Sequence, residues 1–420
     1  MDHAYPATDH VQPTEPRRSS VVVALGITQI FAWGCSYYLL AVLAKSITAG
    51  TGWPLPWVVG GVSIGLFVAG LVSPLVGRKI QQYGGRAVLA SSSVLLAFGL
   101  VGIGLAQNLI IYLMAWIVVG LGMGAGLYDA AFATLGQIYR DKARSLITAL
   151  TLFGGFSSTI CWPLSGVLVE SLGWRAACFI YAGLQLVMSL PIYWFLLPRS
   201  TGYASKRKSP TTETTEPAAE RQSKKNRRTR FALVAAVVTL SAIIQSTIAI
   251  HLLTILQAQG IKMAAAVTLG ALVGPSQVLA RVLEMIIGRR FHPIWTMFSS
   301  TVLVTTGLVL LSFHLPVVAL GLVFFGAGMG IMSIARGTVP LVVFGAAGYA
   351  VLMGQLAAPS SLAQAISPLL GAVILDSGGA TKILFALSGV ALINVILVGL
   401  LTAAKPLESE RRCDFGGAVD

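Results

Sequence analysis

Charge is what this sequence has least of. Of its 420 residues only 10% are Asp, Glu, Lys or Arg, against about 25% in soluble globular chains, and the mean hydropathy is +0.81. That shortage excludes a water-soluble fold of this length. Acidic residues are scarcest, 15 against 29 Lys and Arg, which leaves a formal net charge of +14. Cysteine is limited to Cys35, Cys161, Cys178 and Cys413. None has metal-ligand spacing, and three stand in apolar runs, where a thiol serves as a small packing group. The chain has no Walker-type phosphate loop, no HExxH and no CxxC. Direct ATP use, zinc chemistry and dithiol chemistry therefore find no support. No catalytic constellation is visible and no cofactor is implied. Residues 1–20 are polar, contain Pro6, Pro13 and Pro16, and lack the short apolar core of a secretory leader.

What the sequence does have is apolar runs long enough to cross a bilayer, which takes a helix of about 20 residues. Six are expected at 21–47, 56–77, 87–106, 109–139, 145–170 and 175–197. Six more are expected at 231–257, 264–287, 293–313, 316–344, 349–375 and 380–402. The runs at 109–139 and 316–344 are long enough to tilt or to project beyond the lipid. Between the two sets lies 199–230, polar and basic throughout. Such a segment buries too little apolar surface to offset its ordering entropy and is expected to be a mobile, solvated linker. The expected organisation is a tail at 1–20, a bundle at 21–198, the linker, a second bundle at 231–403 and a tail at 404–420.

Twelve spans put both termini on one side, and the distribution of Lys and Arg chooses the side. With the N-terminus inside, the inner segments hold Arg17, Arg18, Arg78, Lys79, Arg86, Arg140, Lys142, Arg144, the linker, Arg289, Arg290, Lys405, Arg411 and Arg412. The outer ends hold only Lys45, Arg175, Lys262 and Lys382. This asymmetry accounts for the basic charge without nucleic acid and predicts cytoplasmic termini. Compact loops point to a bacterial inner membrane.

The halves repeat one another. VGLGMG at 119–124 matches FGAGMG at 325–330, WPLSG at 162–166 matches SPLLG at 367–371, and Gly84 with Arg86 match Gly288 with Arg290. The three shifts are 206, 205 and 204 residues. A parallel six-plus-six repeat is the plan of a rocking transporter.

Across 21–402 the chain resembles the major facilitator superfamily. Residues 77–86, GRKIQQYGGR, resemble that family's signature between the second and third helices. The family pattern has an acidic residue where Gln81 stands and a further basic one at Gly85, so its loop salt bridge lacks partners here. GWR at 173–175, entering the sixth helix, is a further common feature. Within the superfamily the likeness is to the monocarboxylate-porter and oxalate/formate branch, carried by GPSQVLAR at 274–281. That branch has a glycine followed seven residues later by a substrate-binding arginine, with an aspartate four residues before the arginine. Arg281 fits, and Gln277 stands in the aspartate's place. SYYLLAVLAKSI at 36–47 loosely resembles those porters' first helix. The lysine of their proton-linked position and the anion-ligating lysine of the oxalate carriers' eleventh helix have no counterpart. The resemblance implies an all-α membrane protein of twelve transmembrane helices in two six-helix pseudo-repeats.

Ionisable groups inside apolar runs are the informative ones, because each costs about 2.5–3.5 kcal/mol to insert. Asp129, Arg281, Glu284 and Arg336 qualify. Arg281 and Glu284 are three apart and can pair on one helix. Alternatively Glu284 locks the inner end while Arg281 meets an anionic substrate with its planar fork. Under the 206-residue shift Asp129 corresponds to Ala335, the neighbour of Arg336, so the two lie at nearly equal depth in the fourth and tenth helices. They can form an inner gate, or Asp129 can carry a proton and Arg336 an anion, or each can be satisfied within its own half. His251 matches Tyr38 across the repeat (HLL against YLL) and reads as a neutral hydrogen-bonding residue or a titrating one. Trp33, Tyr37, Gln29, Gln245, Gln355 and Gln364 can line a cavity or join helices. Pro163 and Pro368 read as kinks in the fifth and eleventh helices.

Three functions fit. The first is a monomeric alternating-access transporter of a small organic anion with proton coupling or exchange. The second is a proton-driven efflux carrier for amphipathic compounds, and the third a transport-inactive membrane sensor.

Overall fold

Apolar runs in lipid have one economical solution, the helix, because it satisfies every backbone N–H and C=O within the segment. The computed structural model describes residues 18–198, 218–312 and 318–403, and among them ten helices are long and apolar enough to cross a membrane. Two of the ten are each a pair of helices joined across a glycine kink. Ala143–Leu196 turns at Gly173, whose φ of 84° lies in the region that favours glycine, and Tyr349–Ala403 turns at Gly378 and Gly379, the latter at φ 68°. Each broken helix makes two passes, so the described residues make twelve.

We number these passes in chain order: α1 (Ser19–Thr51), α2 (Leu55–Tyr83), α3 (Gly85–Leu105), α4 (Leu109–Tyr139), and α5 and α6, the arms of Ala143–Leu196 before and after Gly173. The second half follows with α7 (Ala218–Ala258), α8 (Met263–Ile287), α9 (Pro293–Ser312), α10 (Val318–Phe344), and α11 and α12, the arms of Tyr349–Ala403 before and after the Gly pair. Residues 218–230, expected as linker, form the first turns of α7 instead. Glu, Gln, Lys and Arg are good helix formers, and a helix already nucleated by the apolar run propagates into them at little cost. The expected linker at 199–217, and the tails at 1–17 and 404–420, lie outside the described residues.

The repeat seen in the sequence is a repeat of packing. Gly120, Gly122 and Gly124 of α4 press alternately on α2 (Gly65), α3 (Leu96) and α2 again (Ala69). Their counterparts 206 residues later, Gly326, Gly328 and Gly330 of α10, press on α8 (Val273), α9 (Val304) and α8 (Gln277). A Cβ at any of these would meet neighbouring atoms, so the glycines set the helix spacing. Large apolar side chains such as Phe98, Ile110, Val187 and Phe195 are more than two-thirds or nearly so exposed, at 67–80%, as lipid-facing residues are.

The halves meet toward the end where the linker joins them. One buried cluster there, built on Leu89, Phe132, Leu135 and Ile147, takes in Leu341, Tyr349, Ala350 and Met353 from the second half. Gly77 of α2 lies against the backbone of Ala350 and Gly354 in α11, and Gly70 against Ala358 and Leu362. Tyr349, 1% exposed, packs on Gly136 of α4 and donates its hydroxyl to the Gly337 carbonyl at 2.6 Å. The described contacts between halves run from the linker end to about the depth of Gly70 and Arg281. Together they hold the two halves against one another on that side.

Candidate functional site

Two polar centres lie in this seam, and each draws on both halves. The first is the pair that the repeat placed at equal depth. Asp129 sits in the first turn after a kink in α4, where Leu127 adopts an extended conformation at ψ −171°. Arg336 reaches it from α10: its Nε donates to Oδ1 at 3.0 Å and its Nη2 to Oδ2 at 2.7 Å. The same Nη2 also donates to Ser360 Oγ of α11 at 3.0 Å. This is the two-pronged fork that favours Arg over Lys, and both side chains are 20% exposed. The fork commits Nε and Nη2 of Arg336 to Asp129 and Ser360 in this conformation.

The second centre is Arg281. Its side chain, 6% exposed, crosses from α8 to the first half. Nη1 donates to the Thr151 carbonyl of α5 at 2.9 Å, Nε to the Gly330 carbonyl of α10 at 3.3 Å, and Nη2 to Gln277 Oε1 at 3.5 Å. All three acceptors are neutral. The helical pairing with Glu284 open to the sequence is absent: Glu284 instead accepts from Thr296 Oγ1 of α9 at 2.6 Å. Arg281 is thus a buried guanidinium with hydrogen bonds and no counter-charge among its described partners. A buried charge in that condition is costly unless something completes it.

Around Arg281 stand aromatic rings of the first half. The Tyr128 hydroxyl donates to the same Thr151 carbonyl at 3.3 Å. Trp33 lies 5.0 Å from Tyr128, 5.5 Å from Tyr37 and 6.1 Å from Tyr38, centroid to centroid. Trp162 meets Tyr38 edge-on at 6.2 Å. Trp33 and Tyr37 stood out in the sequence. Tyr128 and Trp162 did not, although each immediately precedes a residue that did, Asp129 and Pro163.

The remaining candidates lie elsewhere. His251 bonds through Nε2 to the Pro368 carbonyl at 2.9 Å, joining α7 to α11 within the second half. Gln29 donates to the Gly126 carbonyl at 2.6 Å, within the first half. Gln245 and Gln355 are exposed, and the Gln364 carbonyl accepts from Ser246 at 3.0 Å. At the linker end Arg144 of α5, which sequence reasoning counted only as an inside charge, donates to the Gly288 and Phe291 carbonyls at 2.8 Å each. Those carbonyls lie where α8 ends, at the negative pole of its dipole. A cavity of about 260 Å³ opens beside this clasp, lined by Lys142, Arg144, Thr148, Glu284, Thr296 and Thr338. Basic and acidic groups face one another across it, which suits a gate better than a chamber for one anion. Among the described residues no cluster of His, Cys, Asp or Glu has the arrangement to hold a metal.

The sequence matches the family description Major Facilitator Superfamily over residues 22–358. Monocarboxylate transporter 3 of Gallus gallus is 34% identical over 116 residues, 27% of this chain and 21% of that protein. Monocarboxylate transporter 6 of Homo sapiens is 30% identical over 118 residues, 28% of this chain and 23% of that one. The chain therefore matches less than a quarter of the length of these two relatives. Among solved structures, the human organic anion transporter MFSD10 (TETRAN) superposes with a TM-score of 0.70 at 18% identity, over 92% of this chain and 100% of that one. FucP in the outward conformation gives 0.72 at 13% identity, over 91% and 99%. At such identities the likeness of structures speaks for the fold alone. With the family match covering most of the chain, twelve passes in two packed repeats and two polar centres in the seam between them, the chain belongs to the major facilitator superfamily.

Proposed function

We propose that the chain carries a small organic anion, of the monocarboxylate type, by alternating access, and that Arg281 receives the carboxylate. One observation carries this reading: a guanidinium 6% exposed, reaching from one half to the other, held by neutral acceptors only. A carboxylate supplies the missing charge and accepts the planar fork at two points. The curated relatives named monocarboxylate transporters support the same substrate class.

The linker side is cytoplasmic on this reading, as the Lys and Arg asymmetry requires, and the conformation described is closed to the cytoplasm. Asp129–Arg336 and the Arg144 clasp are then the contacts that must break for inward opening. Asp129 released from Arg336 is the group placed to take a proton, with Glu284 nearer the cytoplasmic mouth. On this reading the protein works as a monomer, since the two halves of one chain supply the whole site, and its compact loops favour a bacterial inner membrane. Uptake of radiolabelled lactate and benzoate into proteoliposomes, with and without an imposed pH gradient, tests the reading. Saturable uptake that the gradient accelerates and Arg281→Ala abolishes is expected. Uptake of a hydrophobic cation such as tetraphenylphosphonium, with none of either carboxylate, would overturn it.

A further inference from the structure

We infer that the tail of the carried anion is an aryl group, seated on the aromatic cluster of the first half. The inference rests on the proposed anion site at Arg281 and adds to it the chemistry of the rest of the ligand.

The cluster is joined directly to the arginine. Thr151 gives one carbonyl to two donors, Arg281 Nη1 at 2.9 Å and the Tyr128 hydroxyl at 3.3 Å. The edge of the Tyr128 ring is therefore fixed beside the guanidinium. From there the rings continue without interruption: Tyr128 to Trp33 at 5.0 Å, Trp33 to Tyr37 at 5.5 Å and to Tyr38 at 6.1 Å, Tyr38 to Trp162 at 6.2 Å. The contacts are tilted or edge-on, as aromatic quadrupoles prefer, so the faces of some rings stay uncovered by their neighbours. Trp33, Tyr37, Tyr38 and Tyr128 are each only partly buried, and Trp162 is 46% exposed.

That combination separates this patch from an ordinary core. Rings packed for stability alone are buried, as Tyr112, Trp116 and Tyr181 are in the same half at 0% exposure. Here five rings from α1, α4 and α5 converge beside the buried charge. The Trp33 Nε1–H is buried and donates to nothing among the described residues, as holds also for Trp116 in the core, so the exposure of the rings is what sets this patch apart. A two- or three-carbon acid held by Arg281 would leave most of this apolar surface uncovered. A phenyl ring carried close to the carboxylate would supply the apolar face that these rings lack. Each ring pair gained adds selectivity of up to about tenfold.

The test uses the purified full chain in nanodiscs and titrates acetate, lactate, phenylacetate, 3-phenyllactate and the neutral phenylacetamide by calorimetry. Trp33→Leu and Tyr38→Leu are measured alongside, two variants in case one fails to fold. The expected result is phenylacetate bound at least about tenfold more tightly than acetate. The Leu variants should weaken the phenyl acids by more than they weaken acetate, so that most of that ratio is lost. If acetate and lactate bind as tightly as the phenyl acids, the aryl seat is refuted while the anion site stands. The same holds if both Leu variants weaken short and aryl acids equally. If phenylacetamide binds as well as phenylacetate, or no acid binds at all, the anion site fails and the aryl seat with it.

Discussion

Removing the carboxylate of Asp129 should open the linker side of the protein. Asp129→Ala deletes two charge-assisted hydrogen bonds, at 3.0 and 2.7 Å, and leaves Arg336 with Ser360 alone. Hydrogen bonds to charged groups contribute about 1.5–3 kcal/mol each. That sum is discounted because both side chains are 20% exposed and because water reaching the opened seam solvates the freed charges. A net coupling of ~1–3 kcal/mol remains, made only in the closed arrangement. Losing it multiplies the linker-side-open population about 5–150-fold. Ala350, 2% exposed and packed on Gly77 across the seam, reports that opening when changed to Cys. The native Cys35, Cys161 and Cys178 are buried and stay silent, and Cys413 is replaced by Ser. The labelling rate of Ala350→Cys with an impermeant maleimide should rise by the stated factor in Asp129→Ala and in Arg336→Ala. It should rise less than multiplicatively in the double variant. Unchanged rates, or strictly multiplicative ones, would show that the two residues do not act as a pair.

Other outcomes follow from the same geometry. Arg281→Lys keeps the charge but loses the fork that reaches Thr151 and Gly330 together, so carboxylate affinity should fall by about tenfold or more; equal transport by Arg281→Lys and Arg281→Ala at wild-type rate would remove Arg281 from the site. Gly354→Val drives a branched side chain into the Ser73 carbonyl and should cost roughly 1–3 kcal/mol of linker-side closure, read as faster Ala350→Cys labelling; a labelling rate like that of the parent refutes the close approach. Arg144→Ala should have the same direction of effect through loss of the clasp on Gly288 and Phe291, and a slower rate would contradict it. A Cys placed at Ser209 should react only in inside-out vesicles, and reaction in intact cells would reverse the proposed orientation.

Much of the fold was legible because membrane helices announce themselves by length and composition. The passes expected at 145–170 and 175–197 meet at Gly173, and those expected at 349–375 and 380–402 meet at Gly378 and Gly379. The equal depth of Asp129 and Arg336 was readable from the repeat, because one shift aligns the glycines that pack α4 and α10 alike. Partners across the seam were not readable. Arg281 could be assigned to Glu284 by helical spacing, yet its principal acceptor is the carbonyl of Thr151, 130 residues away, and backbone acceptors leave no mark on sequence. The aromatic cluster was half legible: Trp33 and Tyr37 stand out as aromatic residues of the first apolar run that can line a cavity. Tyr128 and Trp162 join them only through the fold. The extension of α7 over 218–230 was missed because composition reports solubility, while helix continuity depends on the nucleus the apolar run provides.

The central claim is that a carboxylate completes Arg281, and thermal unfolding of the purified protein with matched ligands measures it most directly. Carboxylates should raise the unfolding temperature of the wild-type chain, hydrophobic cations should not, and Arg281→Ala should abolish the shift while its own folding transition remains cooperative. Stabilisation by cations instead, or a carboxylate shift that survives in Arg281→Ala, would contradict the account.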